Sequence, residues 1–346
     1  MKAALLNSPG HLEIKDAPDP ETSGDEVLVK VYACGVCPTD VRKFFGRSTC
    51  KVPIILGHEI GGYVTRVGEK VENVKVNDRV TIVPDIPCGS CFYCLQNQFN
   101  YCEHLRSVGY GTEKIQPLNG GYAQFVKVPA STVLPIPAGM SYEEATYAEP
   151  VSCAVRSIER SGIEIDDTVA VIGDGRMGLL HLQLLKMLGL KEVIVIGIMD
   201  DRLELAKKFG AVTINAMKET PAEKILNENE HGLSAVIDTT GDPTAINNSL
   251  PLVGAGGHLI LFASSPSNAK ISLDPNLIHY KEVIITGSYG NGSKMDFVKA
   301  IDFISSKHVV VNPLTTHRLP LEELANGFRL IEERKGLRVV ISPNTQ

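Results

Sequence analysis

The sequence lacks the features that mark several common functional classes. It has no run of Lys and Arg, and 34 basic against 40 acidic residues give a net charge of −6, the opposite of the balance expected for a protein that binds nucleic acid or an anionic membrane. No apolar stretch approaches the ~18 residues of a membrane span, and the apolar run at the N-terminus is too short for a signal peptide. These absences predict a soluble, cytoplasmic protein.

Internal repeats, low-complexity tracts and long linkers are also missing. The length of 346 residues corresponds to about two domains at ~150 residues each. A hydrophobic fraction of 43% with 21% charged residues is ordinary for a globular protein and excludes wholesale disorder.

Short β-type runs fill the first ~150 residues and are separated by Gly, Pro and Asn, which predicts a β-rich domain. The runs are Glu26–Tyr32, Tyr63–Val67, Arg79–Val83 and Ala123–Val128.

From Asp167 the pattern changes to buried strands that alternate with helices. Such alternation predicts a doubly wound parallel sheet. The strands are Thr168–Ile172, Val193–Ile196, Ala235–Asp238, His258–Ala263 and Val283–Gly287, and the helices are Leu179–Leu188, Arg202–Phe209 and Pro243–Leu252. Two further helices (Met295–Ser305, Leu321–Glu333) and a strand (Arg338–Ile341) follow.

Four of the eight cysteines fall close together with the spacing C-x2-C-x2-C-x7-C: Cys88, Cys91, Cys94 and Cys102. Two-residue spacing lets a tight turn direct neighbouring sulfurs to one centre, and four thiolates close a tetrahedral zinc site with no open position. Buried free thiols, two local disulfides and an iron–sulfur cluster are the alternatives. We expect a structural zinc site that holds a loop together.

A G-x-G-x-x-G sequence follows the first buried strand and opens a helix, the context that makes this motif a dinucleotide-binding loop. Gly173 allows a tight turn, Gly175 lets the backbone approach a pyrophosphate, and Gly178 allows the helix to pack on the strand. Met177, between the last two glycines, belongs to the same predicted cofactor-binding loop. The helix N-terminus offers N–H groups to the phosphates.

The acidic residue expected ~20 residues further on, which binds the adenosine ribose 2′-hydroxyl, is missing, because the second strand ends in Gly197. Its absence would admit NADP, but 198–201 contain no Arg or Lys. Asp200 and Asp201 either replace the missing carboxylate or repel a phosphate, and Arg202 is the nearby cation. The cofactor is therefore NAD or NADP, with a slight preference for NAD.

Two further clusters lie in the first domain, Cys34-Gly-Val-Cys37-Pro-Thr39-Asp40 and the G-H-E-x2-G-x5-G-x2-V sequence that begins at Gly57. Together with the cysteine lobe and the glycine loop, in this order, they resemble the zinc-dependent medium-chain alcohol and polyol dehydrogenase superfamily along the whole chain. The resemblance implies a GroES-like β-rich catalytic domain (1–150, with the zinc lobe at 85–105), a Rossmann dinucleotide-binding domain (151–290) and a C-terminal return to the catalytic domain (291–346).

A catalytic zinc needs two or three protein ligands and an open position for substrate. Cys37 and His58 match the family's ligand positions, and Glu59 matches its nearby carboxylate, either a ligand or an exchangeable one. The next ligand is Glu149, as in the polyol and threonine dehydrogenase branches, or Cys153, as in the yeast-type alcohol dehydrogenases; Glu149 is favoured. Cys34 and Cys50 match no ligand position.

Four more residues gain roles from the resemblance. Thr39 matches the hydroxyl that relays the substrate proton toward the cofactor ribose, and Asp40 matches the carboxylate that orients the zinc histidine. Arg338 matches an arginine near that carboxylate and the cofactor pyrophosphate; the alternative is a surface strand cation. Arg42 replaces a histidine that many relatives use to release the proton, and an arginine cannot accept one.

These residues predict a two-zinc, NAD(P)-dependent enzyme that interconverts an alcohol and its ketone. We expect a secondary alcohol of polyol or sugar-derived type, with a simple alcohol or threonine as alternatives and a non-catalytic nucleotide sensor as a remote one. The resemblance also implies a homodimer or homotetramer joined at the sheet edge near Val283–Ser288.

Overall fold

The computed structural model describes residues 1–344, which form two compact units. The first contains Met1–Ser152 and the segment from Gly292 onward, and the second is Cys153–Asn291. The boundaries expected from the sequence, 150/151 and 290/291, lie beside these divisions. Within the described residues, no helix combines the length and the apolar character needed to cross a membrane.

The strands, in chain order, are β1 (Lys2–Ser8), β2 (His11–Asp16), β3 (Glu26–Gly35), β4 (Ile54–Ile55), β5 (Glu59–Val67), β6 (Arg79–Ile82), β7 (Asp85–Ile86), β8 (Arg106–Val108), β9 (Gln116–Leu118), β10 (Phe125–Pro129), β11 (Val133–Pro135), β12 (Val169–Ile172), β13 (Val193–Gly197), β14 (Val212–Asn215), β15 (Leu233–Asp238), β16 (Val253–Leu261), β17 (Ile284–Gly287), β18 (His317–Pro320) and β19 (Val339–Ser342).

The helices, in chain order, are α1 (Pro38–Phe44), α2 (Phe92–Leu95), α3 (Tyr142–Ala145), α4 (Ala148–Glu159), α5 (Arg176–Met187), α6 (Asp200–Lys208), α7 (Pro221–Glu228), α8 (Pro243–Ser249), α9 (Pro275–Lys281), α10 (Lys294–Ser305) and α11 (Leu324–Glu332).

The first unit is built on a sheet with strand order β11-β6-β5-β3-β19-β18, in which β10 also pairs with β3. The C-terminal strand β19 pairs antiparallel with the end of β3, where Ile341 lies opposite Cys34. The loop that follows β3 leads directly into α1. Because β5 starts on the other side of β3, with Glu59 opposite Gly35, the ends of β3 and β5 bring the two catalytic motifs together.

The second unit is a six-stranded parallel sheet with the order β14-β13-β12-β15-β16-β17. Its central strand β12 is wholly buried except at Ile172, which is 7% exposed, as expected for a strand covered on both faces. This order and the parallel register confirm the predicted doubly wound sheet.

Several elements were not predicted. Strand β14 and helix α7 lie in the second unit between two predicted elements, and α1 begins inside the first catalytic motif, at Pro38. Strand β5 begins four residues before the predicted run, at Glu59, and α11 begins at Leu324 after a 3-10 turn. Glu59, the glutamate of the G-H-E sequence, is therefore the first residue of a strand and does not lie in a loop.

Candidate active site and metal centres

The four clustered cysteines converge on one centre. Their sulfurs lie within 4.8 Å of one another, and the Sγ–Sγ distances are 3.9 Å for Cys88–Cys94 and for Cys91–Cys102. A disulfide would require about 2.05 Å, so the alternative of two local disulfides is excluded. Sulfurs at the corners of a zinc tetrahedron with Zn–S bonds of ≈ 2.3 Å lie about 3.8 Å apart, which these distances match.

The protein alone does not ionise all four thiols of this lobe. The backbone N–H groups of Ser90 and Cys91 lower the pKa of Cys88 to about 6, whereas burial raises the pKa of Cys94 to about 12. A dication at the centre would deprotonate a coordinating thiol outright. The four sulfurs therefore fit a bound zinc better than a set of free thiols.

A second group of donor atoms, Cys37, His58 and Glu59, also lies within 4.8 Å. Cys37 is the N-cap residue of α1, whose first helical residue is Pro38, so its backbone is fixed before the helix begins. His58 and Glu59 lie at the start of β5 and are 4% and 0% exposed. A thiol, an imidazole and a carboxylate are the donor types that zinc prefers, so this trio, with Cys37 half-buried and the other two buried, fits the predicted catalytic metal.

Asp40 contacts His58 from the side of Nδ1. Its Oδ1 lies 3.4 Å from His58 Nδ1, and Tyr122 donates a hydrogen bond of 2.7 Å to Oδ2. Burial alone would lower the pKa of His58, but the negative charges of Asp40 and Cys37 outweigh burial and hold this pKa well above its usual value. With Nδ1 facing the carboxylate, Nε2 is the nitrogen left for a metal.

Arg338 is wholly buried and forms an ion pair with Glu59, so the alternative of a surface strand cation is wrong. Its guanidinium also donates to Thr146 Oγ1 at 2.9 Å and lies 4.5 Å from the centre of the Tyr147 ring. The pair compensates the charge of a carboxylate that is buried beside the zinc ligands. The expected contact of Arg338 with the cofactor stays a prediction.

Tyr110 is a residue of this site that sequence reasoning missed. Its ring packs edge-on against His58, with ring centres 5.2 Å apart, and its hydroxyl donates to Asp85. Burial raises the pKa of Asp85 although the hydrogen bonds from Tyr110 and Ser107 oppose that shift. No spacing signal links positions 85 and 110, because only the tertiary fold brings them together.

The remaining candidates for the proton relay and the zinc ligands lie on two helices. Thr39 and Arg42 are half-buried on α1, one turn apart. Glu149 and Cys153 are half-buried on α4, also one turn apart. Among the described residues, neither α4 candidate belongs to the mutual 4.8 Å group of donors, so the choice between Glu149 and Cys153 stays a prediction. Cys34 and Cys50 lie outside both groups.

The glycine loop of the second unit has the shape that a dinucleotide requires. Gly173 has φ +115°, and a Cβ on Gly178 would lie 1.9 Å from the Gly173 carbonyl oxygen, so the helix packs tightly on the strand. A Cβ added to Gly175, the N-cap of α5, would meet no neighbouring heavy atom within 4 Å. Met177 is the second residue of α5, and its carbonyl accepts a hydrogen bond from His181. The open helix start fits a pyrophosphate.

Asp174, inside this loop, occupies the space beside Gly197. Its Oδ2 accepts hydrogen bonds from the backbone N–H groups of Ile198 (2.6 Å) and Met199 (2.7 Å), and its Oδ1 lies 4.0 Å from Arg202 Nη1. Asp200 instead binds Lys218 and Asn215. Sequence reasoning missed Asp174, because the motif allows any residue between its first two glycines.

Comparison with known proteins agrees with these sites. Residues 23–138 match the alcohol dehydrogenase GroES-like domain family, and residues 177–306 match the zinc-binding dehydrogenase family. The chain is 35% identical to a D-arabitol-phosphate dehydrogenase from Enterococcus avium, over 100% of this chain and 98% of the relative. It is 31% identical to a sorbitol dehydrogenase from Bacillus subtilis, over 99% and 98%.

The chain belongs to the zinc-binding medium-chain dehydrogenase family. The crystal structure of a zinc-binding dehydrogenase from Sinorhizobium meliloti, bound to NADP, matches the fold with a TM-score of 0.93 at 29% identity and covers 99% of both chains. These matches confirm the predicted GroES-like and Rossmann fold. The protein is thus a zinc-containing oxidoreductase that acts on the CH–OH group of an alcohol or polyol.

Proposed function

We propose that the chain oxidises a secondary alcohol in a polyol or sugar-derived substrate to its ketone, reversibly, with NAD as the hydride acceptor. The observation that carries this proposal is the convergence of the donor atoms of Cys37, His58 and Glu59 within 4.8 Å of one another. Two of the relatives are a D-arabitol-phosphate dehydrogenase and a sorbitol dehydrogenase, which supports a polyol over a simple alcohol.

In the proposed mechanism, Cys37 and His58 would hold the catalytic zinc, and Glu149 would complete its ligand set with Glu59 as an exchangeable neighbour. The zinc, when bound, supplies a Lewis acid that lowers the pKa of the substrate hydroxyl. Asp40 fixes the orientation of the His58 ring through the Nδ1 contact. The Arg338 ion pair compensates the charge of Glu59 beside these ligands.

Thr39, on α1, would take the hydroxyl proton of the substrate and pass it toward the cofactor ribose. A bound nicotinamide would supply the acceptor for the hydride of the carbinol carbon. Arg42, one turn further along α1, keeps its own protons at any working pH. The last proton step to solvent therefore runs through water or another residue. The products are a ketone, the reduced cofactor and one proton.

Carboxylate oxygen is a harder ligand than thiolate and favours oxygen-rich surroundings. A site with Glu59 and Glu149 near the zinc is accordingly suited to a substrate with neighbouring hydroxyls. A site built to hydrogen-bond a hydroxyl discriminates strongly against analogues that lack it. Cys153 as ligand would instead favour a simple alcohol.

The deciding experiment is a panel of substrates assayed with NAD and with NADP. The panel contains sorbitol, arabitol, their phosphate esters, threonine, 2-propanol and ethanol. We expect the highest kcat/KM for a polyol or its phosphate ester with NAD. A kcat/KM for ethanol or 2-propanol well above that for every polyol, and for threonine, would contradict the proposed substrate class.

We also propose a cytoplasmic homodimer or homotetramer joined at the edge of the second unit's sheet. Strand β17 is the last in the strand order, and its Ile284 is 48% exposed. An uncovered β edge needs a partner or protection, and four cysteine thiolates on zinc suit a reducing compartment. Light scattering that gives a strict monomer at micromolar concentration would contradict this assembly.

A further inference from the structure

The end of strand β13 is the position where a dinucleotide-binding sheet usually carries an acidic residue for the adenosine ribose. Gly197 stands there, and it has no space for a side chain. A Cβ built on Gly197 would lie 2.4 Å from Asp174 Oδ2 and 2.7 Å from Asp174 Cγ. The carboxylate missing from the strand end is therefore replaced, in the same space, by a carboxylate from the glycine loop.

The hydrogen bonds of Asp174 involve the donors that an anion at this position would use. Its Oδ2 accepts from the N–H groups of Ile198 and Met199, the first two residues after β13. Its Oδ1 lies 4.0 Å from the guanidinium of Arg202, which is only 13% exposed. Asp174 itself is 6% exposed, so its charge is poorly screened by solvent.

The two other acidic residues nearby, Asp200 and Asp201, do not replace the carboxylate that is missing from the strand end. Asp200 has its carboxylate on Lys218 and Asn215, and its side chain is 65% exposed. Asp201 is exposed on α6. A screened and already paired surface carboxylate has little influence on a ligand, which leaves Asp174 as the buried carboxylate at the strand end.

We propose that Asp174 is the residue that sets the cofactor preference of this enzyme, and that it favours NAD over NADP. A ribose 2′-hydroxyl can donate a hydrogen bond to the Asp174 carboxylate. A 2′-phosphate would meet like charge, and the N–H groups and the arginine that could bind it are already engaged by Asp174. This inference rests on the proposed function, since it assumes that the loop binds a dinucleotide.

The test measures dissociation constants of NADH and NADPH for the zinc-loaded protein, from the fluorescence of the bound reduced cofactors. We expect wild type to bind NADH at least about tenfold more tightly, the effect of one charge-assisted hydrogen bond. Asp174→Asn should reduce this preference by about tenfold, whereas Asp200→Asn, which removes the same charge at the exposed position, should leave it within twofold.

A second variant transfers the carboxylate instead of removing it. In the double variant Asp174→Gly/Gly197→Asp, the strand end regains its acidic residue. We expect this variant to prefer NADH as wild type does. It therefore separates the effect of the carboxylate from any loosening of the loop that Asp174→Asn causes. Wild-type preference for NADPH, or an unchanged preference in Asp174→Asn, would overturn the inference and leave the dehydrogenase function standing. Wild type that binds neither cofactor would overturn the proposed function and this inference with it.

Discussion

His58 Nδ1 and Asp40 Oδ1 lie 3.4 Å apart in the buried centre of the first unit. The contact places the carboxylate on Nδ1 and leaves Nε2 as the nitrogen available to a metal, a common arrangement around zinc histidines. Asp40 lies on α1, three residues after Cys37, so one helix start positions a ligand and the carboxylate that orients another ligand.

We expect Asp40→Asn to weaken zinc binding at the catalytic site by about 10- to 100-fold, because the amide removes the negative charge behind His58. Competition with a chelator measures this affinity. Tyr122→Phe, which removes the hydroxyl on Asp40 Oδ2 but keeps the charge, should have a smaller effect. Equal zinc affinity in wild type and Asp40→Asn would show that Asp40 does not support His58.

We expect Arg338→Met to lower the free energy of unfolding by about 3–5 kcal/mol, because it removes the guanidinium that compensates the buried charge of Glu59. Urea unfolding measures the change. Arg318→Met is the matched control, because the Arg318 side chain pairs with Glu143 and is 53% exposed. This substitution should lower the free energy of unfolding by less than about 1 kcal/mol. Similar losses in the two variants would contradict a special role for the buried pair.

Cys102→Ser should remove the lobe zinc while the donor trio keeps its own metal, because the two groups share no ligand. The lobe would then lose the centre that holds its short helix and turns together. Metal analysis should fall by about one zinc per chain, and limited proteolysis should cleave within 88–102 faster than in wild type. Unchanged zinc content would exclude this cysteine as a ligand.

The Glu144 carboxylate should make a pH-dependent contribution to the free energy of unfolding. Burial raises its pKa, but the hydrogen bond from Lys307 (2.6 Å) and that from the N–H of Ser141 (2.8 Å) outweigh burial, so the pKa lies below its usual 4.5. A lowered folded-state pKa gives stability that is present above pH 4.5 and lost as the pH falls through the folded value.

We therefore expect Glu144→Gln to cost about 1–2 kcal/mol at pH 7 and progressively less below pH 4.5. Unfolding in urea at a series of pH values measures the difference from wild type. A difference that stays constant down to pH 3 would contradict the charged interaction.

The sequence was sufficient to predict the elements whose physics is local. The buried strand β12 follows from a continuous apolar run, and the presence of α5 follows from the glycine loop, although the helix starts at Arg176, three residues before the predicted Leu179. The zinc lobe follows from cysteine spacing alone. Partners separated widely along the chain could not be predicted in this way: Glu59 and Arg338 lie 279 residues apart, and Asp174 binds the N–H of a residue 24 positions away.

The central claim is that Cys37 belongs to a catalytic zinc site separate from the cysteine lobe. The most direct measurement is zinc content and alcohol oxidation of Cys37→Ala beside Cys50→Ala, whose cysteine lies outside both donor groups. We expect about two zinc per chain in wild type and Cys50→Ala, and about one zinc without turnover in a folded Cys37→Ala. Two zinc per chain or wild-type turnover in Cys37→Ala would contradict the claim.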